Sequence, residues 1–184
     1  MGLMDDILKE LLRKPPIMGG PGIFSPIPRV PSIPCVPHVE VRRHGKPKAG
    51  TPVYCKLARV AEHTGIYVGD GEIVHLNGDG EIETVSPREF VARWDGLNPV
   101  MNLSASIYYA ADGEGKALGK RSIAERARSM VGSTRNYQWL LDNCHQFTCG
   151  CISGDFENPC NFFWMVEMEI RDKLGYLTWA EWDY

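Results

Sequence analysis

The stretch HTGIYVGDGEIVHL, residues 63–76, constrains the fold more than any other part of the chain. Gly-Asp-Gly between two runs rich in β-branched residues signals a hairpin. The loop length decides what that hairpin presents. A two-residue loop, Asp70-Gly71, pairs Gly69 with Glu72 and sends His63 and His75 to opposite faces. A three-residue loop, with Gly71 in the left-handed region and a bulge beside it, pairs Val68 with Glu72 instead. Only the second register collects Ile66, Val68, Val74 and Leu76 into one core stripe, so the hydrophobic pattern selects it. Gly65 then lies opposite His75. His63, diagonal to His75, shares the other face with it and with Tyr67.

Around this hairpin the pattern predicts an α+β domain. Residues 51–76 read as strands, and SASIYYA (104–110) reads as another. Ser86 and Glu89 form a capping box with Pro87 at the first helical position. Ser122 and Glu125 form a second box, opening a helix that stops at Gly132. Asp142 or Asn143 can cap a helix from Cys144 to about Ile152. NFFWMVEMEIRDKLG predicts a last helix, with Gly175 as its stop.

Three segments follow. Residues 1–14 carry Leu3, Met4, Ile7, Leu8, Leu11 and Leu12 at helical spacing, predicting an amphipathic helix that docks on its own domain or on a second copy. A membrane-surface role is weakened by Asp5, Asp6 and Glu10, which repel anionic headgroups. Residues 15–40 are a Pro-rich extended arm, with eight prolines between 15 and 39. The globular domain, with a C-terminal helical extension, is expected to occupy 41–184.

Composition removes several function classes. A net charge of −3 with scattered basic residues argues against a nucleic-acid partner. No run of about 18 apolar residues predicts a membrane span. The acidic start is unlike a signal peptide, so a cytoplasmic location with reduced cysteines is expected, with peripheral membrane contact as the variant. Six cysteines contain no CxxC pair. Cys149 and Cys151 could join Cys144 or Cys160 on zinc, but no second separated pair exists, and neither metal nor cofactor is expected. Cys55, Cys149, Cys151 and Cys160 read as buried small residues.

Cys144 poses the sharper question: buried hydrophobe, disulfide half, metal ligand or nucleophile. At a helix N-terminus the dipole and free N–H groups favour the thiolate. Beside a histidine pair such a cysteine can act as a nucleophile, with one imidazole as base and the second orienting it. The residues alone do not bring the helix to the hairpin.

HTGIYVGDGEIVHL (63–76) together with ARSMVG and NYQWLLDNCHQF (127–147) resembles the LRAT (lecithin:retinol acyltransferase) family of the NlpC/P60 superfamily. The resemblance covers roughly residues 48–154. It implies a circularly permuted papain-like fold, an antiparallel sheet packed on helices, with His preceding Cys. It implies His63 as general base, His75 as the orienting member and Cys144 as the acyl-accepting nucleophile. Tyr67, on the histidine face, is expected to line the site and reach the oxyanion. Asn143 and His145, flanking the cysteine, complete the expected substrate-binding set. Thr64 departs from the family's common Trp, and His145-Gln146 from its Glu-His. The implied activity is thiol-dependent acyl transfer or hydrolysis on an acyl-bearing substrate, lipid esters above all. The alternatives are a peptidase or amidase of the NlpC/P60 type, or a non-enzymatic binding module. Substrate, acceptor and oligomeric state are not legible.

Overall fold

The computed structural model describes residues 40–57, 61–92, 106–135, 143–175 and 178–184. The helix expected at 1–14, and the Pro-rich arm up to residue 39, lie outside them. All the described residues belong to one compact unit, Pro37–Tyr184.

Seven strands make one sheet: β1 Glu40–Gly45, β2 Thr51–Leu57, β3 Ala61–Gly69, β4 Glu72–Leu76, β5 Ile82–Val85, β6 Ile107–Ala111 and β7 Thr178–Trp182. Their order is β1-β7-β6-β2-β3-β4-β5. From β7 to β5 every pairing is antiparallel. The expected antiparallel sheet gains one departure, since β1 joins β7 in parallel. The helices are α1 Pro87–Ala92, α2 Arg121–Ser129, α3 Cys144–Ser153 and α4 Phe163–Leu174. The class is α+β, as the pattern predicts. Among the described residues no helix is long and apolar enough to cross a membrane.

Period-two alternation splits the sheet into two apolar faces. Tyr54, Ile66, Val68, Val74 and Leu76 bury one face against α2, α3 and α4 through Ile123, Phe147 and Ile170. Val53, Cys55, Ile73, Ile107 and Tyr109 line the other, where α1 contributes Phe90 and Val91.

The hairpin register is the predicted one, reached by a different turn. Ile66 opposes Val74, but Gly69 pairs with Glu72, and the ladder is irregular between Tyr67 and Gly69. Asp70 (φ 55) and Gly71 (φ 78) form a two-residue turn, both left-handed. Such a turn matches the strand twist, and an aspartate tolerates that conformation. The extra residue enters the strand as a bulge at Val68, so the alternation beyond it is unchanged.

Two caps differ in outcome. At α1 the Ser86 N–H donates to Glu89 Oε2 at 2.9 Å, and the Glu89 N–H returns to Ser86 Oγ at 3.3 Å. At α2 the helix begins two residues early, capped by Lys120 in place of Ser122 and without a side-chain bond. Glu125 pairs instead with Arg121, at 3.1 Å. The chain's entry there is set by tertiary contact: a Cβ on Gly119 would meet Gly50 and Thr51 backbone at 2.7 Å.

Candidate active site

The two histidines meet. His63 Nε2 and His75 Nδ1 lie 2.7 Å apart, with the ring planes at 84°. Phe90 of α1 packs against both rings, at 4.8 and 5.5 Å between centroids. Residue 65 must be glycine for this to happen. A Cβ there would lie 2.9 Å from Ile73 Cγ2 and 3.1 Å from the Phe90 ring.

The nucleophile candidate arrives from the other side of the sheet. Asn143 caps α3 with extended backbone, its side chain accepting from the His145 N–H at 2.9 Å and the Gln146 N–H at 3.2 Å. Its own amide donates to the Asn161 carbonyl at 3.0 Å, tying the cap to the segment before α4. The Phe147 N–H bonds the Asn143 carbonyl. Of the first-turn donors the Cys144 N–H remains, directed at its own sulfur.

Strand chemistry explains how the sulfur reaches the histidine neighbourhood. Pro52 has no N–H, so Pro52 and Ile66 form a non-hydrogen-bonded pair. Alternation then turns the Thr64 N–H away from β2 and toward β4. The β3–β4 ladder runs no further than Ile66 and Val74, although both strands continue. Past that point the Thr64 N–H and hydroxyl face the Cys144 thiol instead of a strand partner. The sheet opens between β3 and β4, and the thiol fills the opening beside the strand that carries His63.

Thr64 and His145 complete the surroundings. His145 Nδ1 lies 3.1 Å from Thr64 Oγ1 and 3.8 Å from Cys144 Sγ. Thr148 donates to the Thr64 hydroxyl at 3.1 Å. Among the described residues no hydrogen bond joins Cys144 directly to His63. The cluster is enclosed, with Cys144 6%, His63 3% and His75 1% exposed.

Enclosure sets the charges. Burial pushes the Cys144 thiol up, outweighing the Thr64 groups and the N–H groups of Cys144 and His145 that favour the thiolate. The helix N-terminus expected to stabilise a thiolate is present, and desolvation wins over it. Burial, then His75 and His145, hold His63 well below the ordinary imidazole range. Burial brings His145 down to about 4.

These shifts have a direction in stability. Unfolded histidine takes its proton near pH 6.5, whereas folded His63 and His145 refuse it until lower pH. Their contribution is therefore fully present above pH 6.5 and is lost as pH falls from there toward about 4 for His145. Each histidine is expected to take away up to about 1.4 kcal/mol per pH unit inside its window. Urea unfolding at pH 7, 6 and 5 measures the slope, and a flat profile would contradict the buried neutral rings. Asn143→Ala is expected to lower stability by about 1–2 kcal/mol through loss of the cap, read as a lower urea midpoint.

The remaining expectations land in different places. Tyr67 shares the histidine face, but its hydroxyl accepts from the Gly71 N–H at 3.2 Å. Four residues along the strand put it roughly 13 Å from His63. It lines a surface depression of about 510 Å³ with Lys46, Arg88, Trp182 and Tyr184. Asn143 serves the helix end, and His145 flanks the thiol. Cys55, Cys149, Cys151 and Cys160 are buried as expected. Sequence reasoning missed Phe90 and Thr64. The glycine opposite His75 was the available signal for a ring lying over it.

Fold and site define an α+β protein with a cysteine at a helix N-terminus and a histidine pair on adjacent strands. The lecithin retinol acyltransferase family model matches residues 45–157, more than half of the chain, and the chain belongs to that family. Membership is compatible with thiol-dependent acyl transfer or hydrolysis. The chain is also similar to the genome polyprotein of avian encephalomyelitis virus, in strains L2Z and Calnek vaccine, at 29% identity over 96 residues. That match covers 52% of this chain and 4% of each polyprotein, so the chain spans a small part of those relatives.

Proposed function

We propose that the chain is an acyltransferase or hydrolase that works through a Cys144 acyl-enzyme, with lipid esters as its substrate class. The observation that carries this reading is the opening between β3 and β4, where a helix-capped thiol meets the strand of a hydrogen-bonded histidine pair. The family membership supports the same chemistry.

In the proposed reaction His63 takes the thiol proton as Cys144 Sγ bonds the ester carbonyl carbon. The Cys144 N–H, left over by the cap, stabilises the oxyanion. Collapse breaks the ester C–O bond, and His63 returns its proton to the leaving alcohol. Water or a second hydroxyl then attacks the thioester and gives its proton to His63. The C–S bond breaks and Cys144 is reprotonated. A neutral thiol beside a neutral imidazole suits a proton transfer concerted with attack, not a resting ion pair.

Peripheral lipid contact belongs to this reading. Phe162 and Trp164, 57% and 50% exposed, flank the start of α4. Their neighbour Phe163 stands 6.1 Å from His145 between ring centroids. The test is incubation with phosphatidylcholine vesicles and with a soluble thioester, reading intact mass. An acyl adduct on wild type that is absent in Cys144→Ala supports the proposal. Turnover without Cys144 sinks it.

A further inference from the structure

The histidine pair does not end the chain of polar contacts. His75 and Glu83 are direct cross-strand partners on β4 and β5. His75 Nε2 faces Glu83 Oε1 at 3.5 Å, an ion-pair distance. Asn77 Nδ2 donates to that same oxygen at 2.8 Å, fixing where the carboxylate sits. Glu83 is partly open to solvent, with its side chain 23% exposed, whereas the two imidazoles are enclosed.

We infer that Glu83 is a positioning residue that sets the tautomers of both histidines and thereby makes Nδ1 the basic nitrogen of His63. Donors and acceptors along this row of side chains set the tautomers, and only the catalytic consequence rests on the acyl-enzyme reading. A carboxylate accepts and cannot donate, so at 3.5 Å, an ion-pair and not a hydrogen-bond approach, its charge favours a proton on the His75 nitrogen that faces it. A neutral imidazole has one donor and one acceptor, so His75 Nδ1 becomes an acceptor. The 2.7 Å contact then requires His63 Nε2 to be the donor. His63 Nδ1 is left with its lone pair, free to take a proton. When it does, the positive charge on His63 lies one imidazole away from the Glu83 carboxylate, which stabilises it.

Without Glu83 the carboxylate's preference for the active arrangement over its reverse is lost. In the reverse, His75 Nδ1 donates, His63 Nε2 accepts, and His63 Nδ1 carries the proton. That arrangement cannot take a thiol proton at Nδ1. The fold would be intact and the base spent.

The test is long-range proton–nitrogen correlation NMR on the full chain labelled with ¹⁵N-histidine, beside Glu83→Ala and Glu83→Gln. His63→Asn and His75→Asn spectra assign the signals. In wild type His63 and His75 should each show a protonated Nε2 and a bare Nδ1. Glu83→Ala should move both toward the other tautomer or a mixture. Thioester turnover should fall about tenfold to a hundredfold in kcat with KM little changed. Glu83→Gln preserves shape, so its effect survives any folding loss in the alanine variant. A bare Nε2 on His63 in wild type, a doubly protonated His75, or tautomers unmoved in both variants would overturn the inference. If the tautomers behave as stated while Cys144→Ala retains turnover, the acyl-enzyme reading falls and the Glu83 assignment stands.

Discussion

Cys144→Ala is expected to abolish the acyl adduct and to lower kcat/KM for ester or thioester turnover by about 10⁴-fold or more. The other four described cysteines cannot stand in for it. Cys55, Cys149 and Cys151 are at most 1% exposed, and burial pushes the Cys55 and Cys151 thiols up. Cys160 is itself buried and hydrogen-bonds the Cys149 thiol, in the core cluster with Phe147 and Ile170. The variant should fold, since alanine at the first helical position leaves the Asn143 cap in place and removes only the acceptor that the Thr64 N–H and hydroxyl face. A second measurement separates a resting ion pair from a neutral one. Iodoacetamide labelling of Cys144 should rise only above the ordinary thiol range near 8.5, because burial pushes this thiol up. His63→Ala should leave that labelling profile in place yet reduce turnover by about 10²- to 10⁴-fold. A labelling midpoint well below 8.5 that His63→Ala abolishes would show a preformed thiolate–imidazolium pair and refute the neutral resting state.

What could be read from the sequence was what local pattern controls. The hairpin register followed from the core stripe of Ile66, Val68, Val74 and Leu76, because a slip by one residue would turn all four away from the helix-covered core onto the opposite face. The turn was misjudged because the same register can be kept by a bulge at Val68 with Asp70 in the left-handed region. The cap at Asn143 was legible, since its side-chain acceptor needs only the next two residues. The meeting of Cys144 with the histidine strand was not, because it depends on β3 and β4 separating past Ile66 and Val74. No spacing encodes that separation. Glu83 escaped for a related reason: its partner His75 is a cross-strand neighbour, and β5 is only four residues long.

The same logic explains β7, which the pattern left unread, and it yields the largest stability effect. Trp179→Ala is expected to destabilise the fold by about 3–5 kcal/mol, although residues 158–184 lie beyond the family match. TWAEW has the alternation of a strand but no hairpin signal, and its partners are far away in sequence. Trp179 pairs with Ala110 of β6 and with Glu40 of β1. Its ring is 1% exposed, edge-on to Tyr54 at 4.6 Å and stacked on Phe163 at 5.6 Å. The indole N–H donates to Glu167 at 2.9 Å, so truncation also costs that carboxylate a donor. Trp179→Phe keeps most of the buried ring and should cost about 1–3 kcal/mol, from the lost hydrogen bond and the smaller ring together. Trp164→Ala, half-exposed on α4, should change stability by no more than about 0.5 kcal/mol. A lower urea midpoint at unchanged slope reads each effect. Phe163 touches both Trp179 and His145, so a surviving Trp179→Ala protein should also turn over more slowly as the wall behind His145 loosens. If Trp179→Ala lost less than about 1 kcal/mol, the last strand would be an appendage to the domain. A large loss with full retention of turnover would instead confine its role to holding the sheet, leaving α3 and the histidine strands to position the site by themselves.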